Sequence, residues 1–217
     1  MRAIERRAAV ADVIELRMDL IHNGRLVELI GHARDCDETA AVLVTHRPAT
    51  GSDFRMERRR IEGLKEAVGL GADYVDVELQ TDPALREDLV ASVARLGRRT
   101  ALIVSHHDDK RTPSLRTLKA LFQRCVQAGA DIVKIVTWAE SPQDNLRVLS
   151  LIADAEREDI DLINFCMGPR GRISRVASPL LGACMSYVSL SRGCRSAPGQ
   201  LTFAEMNTVM SILRRDA

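Results

Sequence analysis

Seven short runs rich in β-branched residues recur along the chain, separated by polar stretches with apolar residues every three or four positions. The runs are VIEL from Val13, AVLVT from Ala41, YVDVEL from Tyr74, TALIVS from Thr100, IVKIVT from Ile132, LINFC from Leu162 and SYVSL from Ser186. Their starts lie 24 to 33 residues apart, the length of one βα unit. The intervening segments carry helix-start signals. In TDPALREDLVASVARLG, Asp82 is a candidate N-cap and Pro83 the first helical residue. In SPQDNLRVLSLIADAERE, Pro142 opens a helix whose Leu146, Leu149 and Ile152 predict one apolar face. The arginine run Arg58, Arg59 and Arg60 predicts a solvated helix face.

Strands alternating with helices predict an α/β fold with a parallel sheet covered by helices. Seven strands and about eight helices are counted, the first helix being the opening segment before Val13. A closed (βα)8 barrel of the TIM type needs one more strand ahead of that helix. The expectation is a single barrel domain over residues 1–217 that lacks its first strand, with an open sheet or an upstream start as alternatives. Polar residues collect at the carboxyl ends of the strands, where barrels place their sites, and this favours the barrel.

Composition narrows the partners. The chain has 217 residues, 31 basic and 30 acidic, for a net charge of +1. That balance removes the electrostatic reason to expect nucleic acid or an anionic membrane. Aromatic residues are only 3%, too few for a surface that stacks bases. No apolar run approaches the ~18 residues of a membrane span, and the opening MRAIERRAAV is charged throughout, unlike a signal peptide. Five cysteines without CxxC spacing predict free thiols in a reducing cytoplasm.

Against this background a few residues stand out. Lys134 lies inside the apolar run ADIVKIVTW, one of four lysines beside 27 arginines. Burial there disfavours the ammonium form and leaves an amine able to attack a carbonyl, or else pairs it with a buried carboxylate. Asp76 and Glu78 alternate on one face of YVDVEL, as do Glu15, Arg17 and Asp19 in VIELRMDLI, so these charges are paired or functional. His106 and His107 end the fourth run, placed for general acid–base work. Only His22, His32 and His46 remain as further histidine ligands, and no metal is expected. Arg47 closes the second run and Arg175 follows GPRGRIS, both able to grip a carboxylate bidentately. SAPGQL is a turn by its Pro–Gly pair, flanked by Ser196 and Gln200, which can hydrogen-bond a polyhydroxylated ligand.

Taken in order, ELRMDL, THRP, ADYVDVEL, SHHD, GADIVKIV, MGPRGRISR and SAPGQ resemble the type I 3-dehydroquinate dehydratases, over about Val13 to Thr202. The resemblance implies a commonly dimeric (αβ)8 barrel that needs no cofactor and acts on the small molecule 3-dehydroquinate. It implies that Lys134 forms an imine with the substrate ketone and that His107 is the general base and acid. Arg175 would hold the substrate carboxylate. Glu15, Arg17 and Arg47 would bind hydroxyls and order the site, while Ser196 and Gln200 belong to a closing loop. Tyr187 and Met167 match pocket residues near the imine. Three features depart from the family pattern, the missing first strand foremost among them. No glutamate follows Arg47 until Glu57, with Asp53 the nearest acid, and SRGCR lengthens the turn before SAPGQ. Two other readings share these residues: a catalytically weak or inactive barrel that binds a ligand or a protein partner, and a class I aldolase.

Overall fold

The computed structural model describes residues 11–21, 25–36, 39–49, 51–96 and 100–214. The opening helix expected before Val13 lies outside them, as does His22. The chain divides into two compact units, one running to Ser105 with Gln127–Asp131 added, the other comprising His106–Val126 and everything from Ile132.

The first unit alternates β1 (Val13–Arg17), α1 (Leu26–Cys36), β2 (Ala41–Thr45), α2 (Phe54–Gly69), β3 (Tyr74–Glu78), α3 (Pro83–Arg95) and most of β4 (Ala101–His107). All pairings are parallel, with Arg17 opposite Thr45, Thr45 opposite Asp76 and Glu78 opposite Ser105. Since side chains alternate along a strand, Glu15, Arg17, Thr45, Asp76, Glu78 and Ser105 share one face of this sheet. Ile14, Leu16, Val42, Val44, Val75 and Val77 are buried on the other. Asp82 caps α3 as its sequence predicts, its carboxylate accepting from the Ala84 and Leu85 N–H groups. Asp53 likewise caps α2, accepting from Met56 N at 2.8 Å.

The arginine run on α2 requires a correction. Arg58 and Arg59 are solvated, but Arg60 is only 3% exposed. Its guanidinium donates to Glu57, to the His46 carbonyl at 3.0 Å and to the Thr81 hydroxyl at 2.6 Å. These acceptors compensate the desolvation of the charge.

The second unit contains α4 (Leu115–Gln127), β5 (Ile132–Trp138), α5 (Pro142–Leu149), α6 (Ile152–Glu158), β6 (Asp161–Met167), a single 3-10 turn (Pro169–Gly171) and α7 (Arg172–Leu180). Then come β7 (Val188–Ser189), a second 3-10 turn (Arg192–Cys194), β8 (Leu201–Thr202) and α8 (Phe203–Leu213). β5 and β6 run parallel with Lys134 opposite Ile163 and Val136 opposite Phe165. Lys134, Phe165 and Met167 therefore share one face. Asn164 and Cys166 share the other, where Asn164 accepts from Ser178 of α7 and donates to the Val148 carbonyl of α5.

Two expectations change in this unit. The segment after Pro142 forms two helices broken at Ser150 and Leu151, and its predicted apolar face holds only in part: Ile152 is buried and Leu149 half-buried, but Leu146 is 69% exposed. Asp144 and Asn145 are buried instead: Asp144 accepts from the Glu140 and Ser141 N–H groups, and Asn145 donates to the Arg170 carbonyl. The strand count also rises. SYVSL contributes only Val188–Ser189, which pairs in parallel with Leu201–Thr202, a strand hidden in a segment that reads as a turn.

Candidate active site

The second unit gathers most of the residues singled out by sequence. Lys134 stands at the third position of β5 and is 2% exposed. Its Nζ donates to the Tyr187 hydroxyl at 3.0 Å and lies 4.4 Å from the centre of that ring. Tyr187 in turn meets Phe165 of β6, ring centres 5.9 Å apart and tilted by 53°. Arg175 packs over the other neighbour of this chain of rings, its guanidinium carbon 4.2 Å from the centre of Phe165. Amine, two aromatic rings and guanidinium thus form a continuous stack, with buried Met167 on the same strand face as Phe165.

Arg175 is 1% exposed, and burial pulls its guanidinium down to about 10, opposed slightly by nearby Cys166. It remains charged at neutral pH. Beyond the cation–π contact it donates to the Pro198 carbonyl at 3.4 Å. A buried cation facing aromatic carbon retains capacity for an anionic ligand.

The SAPGQ segment is docked by its backbone. Gly168, just past β6, donates its N–H to the Pro198 carbonyl at 3.1 Å. Gly199 has φ +79°, and a Cβ placed there would collide with the Gly168 carbonyl. Gln200 is 3% exposed and accepts through Oε1 from the Ser196 backbone N–H at 3.0 Å. Ser196 itself is exposed. The longer SRGCR turn forms the 3-10 turn Arg192–Cys194, whose Arg192 donates twice to Glu205 of α8.

His107 ends β4 and is half-buried. The next residue's backbone, Asp108 N, donates to the Val136 carbonyl at 2.9 Å. This bond ties the end of β4 to β5 two residues beyond Lys134.

Within the first unit, Glu15, Arg17 and Arg47 come together around Asp19 and Thr45. Thr45 donates to Glu15 at 2.8 Å, Arg17 grips Asp19 with two nitrogens at 3.0 and 2.6 Å, and the Arg47 backbone N–H reaches Asp19 at 3.3 Å. Burial raises the Asp19 carboxyl, but the Arg17 hydrogen bond and charge outweigh it and hold the group below the usual carboxylate range. Further along the same face Ser105 donates to Asp76 at 2.5 Å.

Both acids after Arg47 have partners of their own: Asp53 is a helix cap and Glu57 is paired with Arg60. Burial and the Arg60 charge both push His46 down toward its neutral form, weakly opposed by the charge of Glu57. Sequence reading missed Phe165, Thr45, Gly168 and the Pro198 carbonyl. Strand alternation from Met167 and from Arg47 was the available signal for the first two. Backbone groups leave no side-chain signature.

Known proteins share the sequence pattern and the fold of this chain. A family model described as type I 3-dehydroquinase matches residues 1–217. The 3-dehydroquinate dehydratase of Pyrococcus abyssi is 33% identical over 212 residues, covering 97% of this chain and 92% of its own. That of Thermococcus gammatolerans is 37% identical over 211 residues, covering 95% and 90%. Among solved structures, the 3-dehydroquinate dehydratase of Geobacillus kaustophilus superposes with a TM-score of 0.85 at 29% identity, covering 99% of this chain and 85% of its own. The type I enzyme of Clostridium difficile, at 23% identity, shares the fold with a TM-score of 0.86 over 100% of this chain and 87% of its own. The parallel α/β architecture is therefore that of a TIM-type barrel enzyme, and the chain belongs to the type I 3-dehydroquinase family.

Proposed function

We propose that the protein dehydrates 3-dehydroquinate to 3-dehydroshikimate, a step of the shikimate pathway to aromatic amino acids, through an imine on Lys134 with His107 as general base and acid. The observation that carries this reading is the Lys134 amine, 2% exposed on a strand and hydrogen-bonded to the Tyr187 hydroxyl, in a chain of this family.

The proton to be removed lies α to a ketone, and its carbanion is too unstable to form readily in water. Lys134 Nζ adds to the ketone carbon and water leaves, giving a protonated imine. His107 takes the α proton while the C–H electron pair flows into the iminium nitrogen, giving an enamine. The pair then returns, the β C–O bond breaks, and the imidazolium gives its proton to the departing hydroxyl, so a water molecule leaves. A second water hydrolyses the product imine and frees Lys134. One water is lost overall, and no metal or organic cofactor enters.

Arg175 takes the substrate carboxylate, being charged and buried against Phe165. Tyr187 and Met167 form the wall beside the imine. Glu15, Arg17 and Arg47 bind hydroxyls, and Ser196 and Gln200 close over the substrate to hold it and exclude water. The protein works in this reading as a cytoplasmic homodimer. Its free cysteines suit a reducing compartment, and among the described residues no helix is long and apolar enough to cross a membrane.

Borohydride trapping with 3-dehydroquinate, followed by peptide mass spectrometry, tests the reading. A reduced adduct confined to Lys134 is expected. An adduct elsewhere, or none on folded protein, removes the imine mechanism and leaves a barrel that binds a ligand or partner without turning it over.

A further inference from the structure

α2 (Phe54–Gly69) buries Arg60, Ile61, Leu64, Ala67 and Val68 and turns its other face to solvent. That outer face carries Arg55, Arg58 and Arg59 in its first two turns and Glu62 and Glu66 in the next two; with Gly63 they line an open groove of ≈ 510 Å³. The spacing places all of them on one stripe. Their order is the reverse of what an isolated helix favours. The dipole is positive at the amino end and negative at the carboxyl end, so arginines in the first turns and glutamates beyond them are each on the wrong side. Among the described residues Arg55, Arg58, Arg59 and Glu66 form no ion pair, while Glu62 accepts from Lys65 at 3.2 Å. Local stability does not account for this pattern.

The stripe is complementary to itself. In an antiparallel pairing of two copies centred between Arg60 and Ile61, Arg55 faces Glu66, Arg59 faces Glu62 and Arg58 faces Gly63. No arginine opposes an arginine and no glutamate a glutamate. Nothing lies within 4 Å of where a Cβ on Gly63 would sit, which leaves room for the opposing Arg58. The two helix dipoles run antiparallel, so each misplaced charge gains an opposite terminus as well as an opposite side chain. Phe54 and Met56, 61% and 50% exposed, add apolar surface at both ends of such a pair. A polyanion fits less well, because Glu62 and Glu66 share the groove.

We propose that two copies of this chain associate through α2, antiparallel, about a two-fold axis at the middle of the helix. This names the interface of the homodimer proposed above and rests on that reading. The experiment is sedimentation velocity on four proteins, with circular dichroism to confirm the fold of each. The parent is expected to be dimeric. Arg55→Glu/Arg59→Glu and Glu62→Arg/Glu66→Arg should each weaken self-association by at least about tenfold. An equimolar mixture of the two, and the fourfold variant carrying all these changes, should restore it, since each arrangement again opposes unlike charges. A dimeric parent whose two variants stay dimeric places the interface elsewhere and leaves the homodimer standing. A parent that is monomeric throughout removes both readings. Variants that dissociate but are rescued by neither mixing nor the fourfold swap overturn the antiparallel pairing. A parent that is monomeric yet retained on a polyanion column through these arginines assigns the groove to an anionic partner instead.

Discussion

Lys134 Nζ meets Tyr187 twice, through the hydroxyl at 3.0 Å and through the ring at 4.4 Å. The two contacts respond differently to the charge on nitrogen. The ring face favours the ammonium, whereas the hydroxyl suits either form, its oxygen accepting from an ammonium or its O–H donating to a neutral amine. Tyr187→Phe retains the ring and loses the hydroxyl, at a cost of about 1–2 kcal/mol for a hydrogen bond to an ionisable group. The expected result is an imine that still forms on Lys134 but roughly tenfold more slowly. Single-turnover trapping measures this, and an unchanged trapping rate would show the hydroxyl to be irrelevant to the amine.

His107 supplies the proton transfers but not the nucleophile. His107→Ala should abolish steady-state turnover while Lys134 still accepts substrate, so that borohydride captures an adduct carrying the mass of undehydrated substrate. Turnover within about tenfold of the parent, against the ~10²–10⁴ expected for a positioned acid–base group, removes His107 from the mechanism.

Gly199 permits the backbone of the SAPGQ segment to lie against Gly168. Its φ of +79° disfavours any other residue, and a Cβ would collide with the Gly168 carbonyl. Gly199→Ala should therefore lift the segment that carries Gln200 and the Pro198 carbonyl, the acceptor of Arg175. KM for substrate should rise more than tenfold with little change in melting temperature, because the displaced loop lies at the surface. Steady-state kinetics beside a thermal melt separates this from global damage.

The strand rhythm makes the alternating fold legible in the sequence, because parallel strands buried on both faces read as short β-branched runs at βα intervals. Lys134 was legible for the same reason, a lone amine in a run where every neighbour is apolar. Other features were not. Arg60 looks like its solvated neighbours, and only the arrangement of Glu57, the His46 carbonyl and Thr81 makes its burial tolerable. Leu146 carries the right period for a core position, yet Asp144 and Asn145 are buried beside it through backbone partners that sequence does not display. Leu201–Thr202 escaped because two residues leave no periodicity, and the pairing partner, Val188–Ser189, is equally short.

Arg60 gives a prediction about stability rather than chemistry. Its charge is buried with a Glu57 that is 17% exposed, so removing the arginine strands a carboxylate that water only partly reaches. Arg60→Met is expected to cost about 3 kcal/mol, a fall in melting temperature of roughly 6–12 °C for a chain of this size. Glu57→Gln should cost less, about 1–2 kcal/mol, since its amide oxygen still accepts from Arg60. It should leave the pH profile of turnover unmoved, because Glu57 serves Arg60. A shifted acid limb in Glu57→Gln would instead make this glutamate part of the acid–base machinery.

Glu205 closes the capping box of α8 and receives Arg192 from the turn ahead of SAPGQ. Its carboxylate accepts from the Thr202 N–H at 2.9 Å and from two nitrogens of Arg192 at 3.1 and 2.8 Å. The Thr202 backbone bond, then Arg192, draw the carboxyl from its usual 4.5 down to about 2. The folded state thus holds the charged form more tightly than the unfolded chain does. Its stabilisation is complete above about 4.5 and is lost progressively as pH falls through about 2. Glu205→Gln carries no charge at any pH, so the melting-temperature gap between parent and variant should be widest near neutral pH and close on acidification. High salt should narrow the gap at neutral pH only in part, since the Arg192 pair is solvent-exposed and screened while the cap hydrogen bond is short-ranged. A gap independent of pH would mean that the helix cap alone, through geometry rather than charge, holds the turn in place.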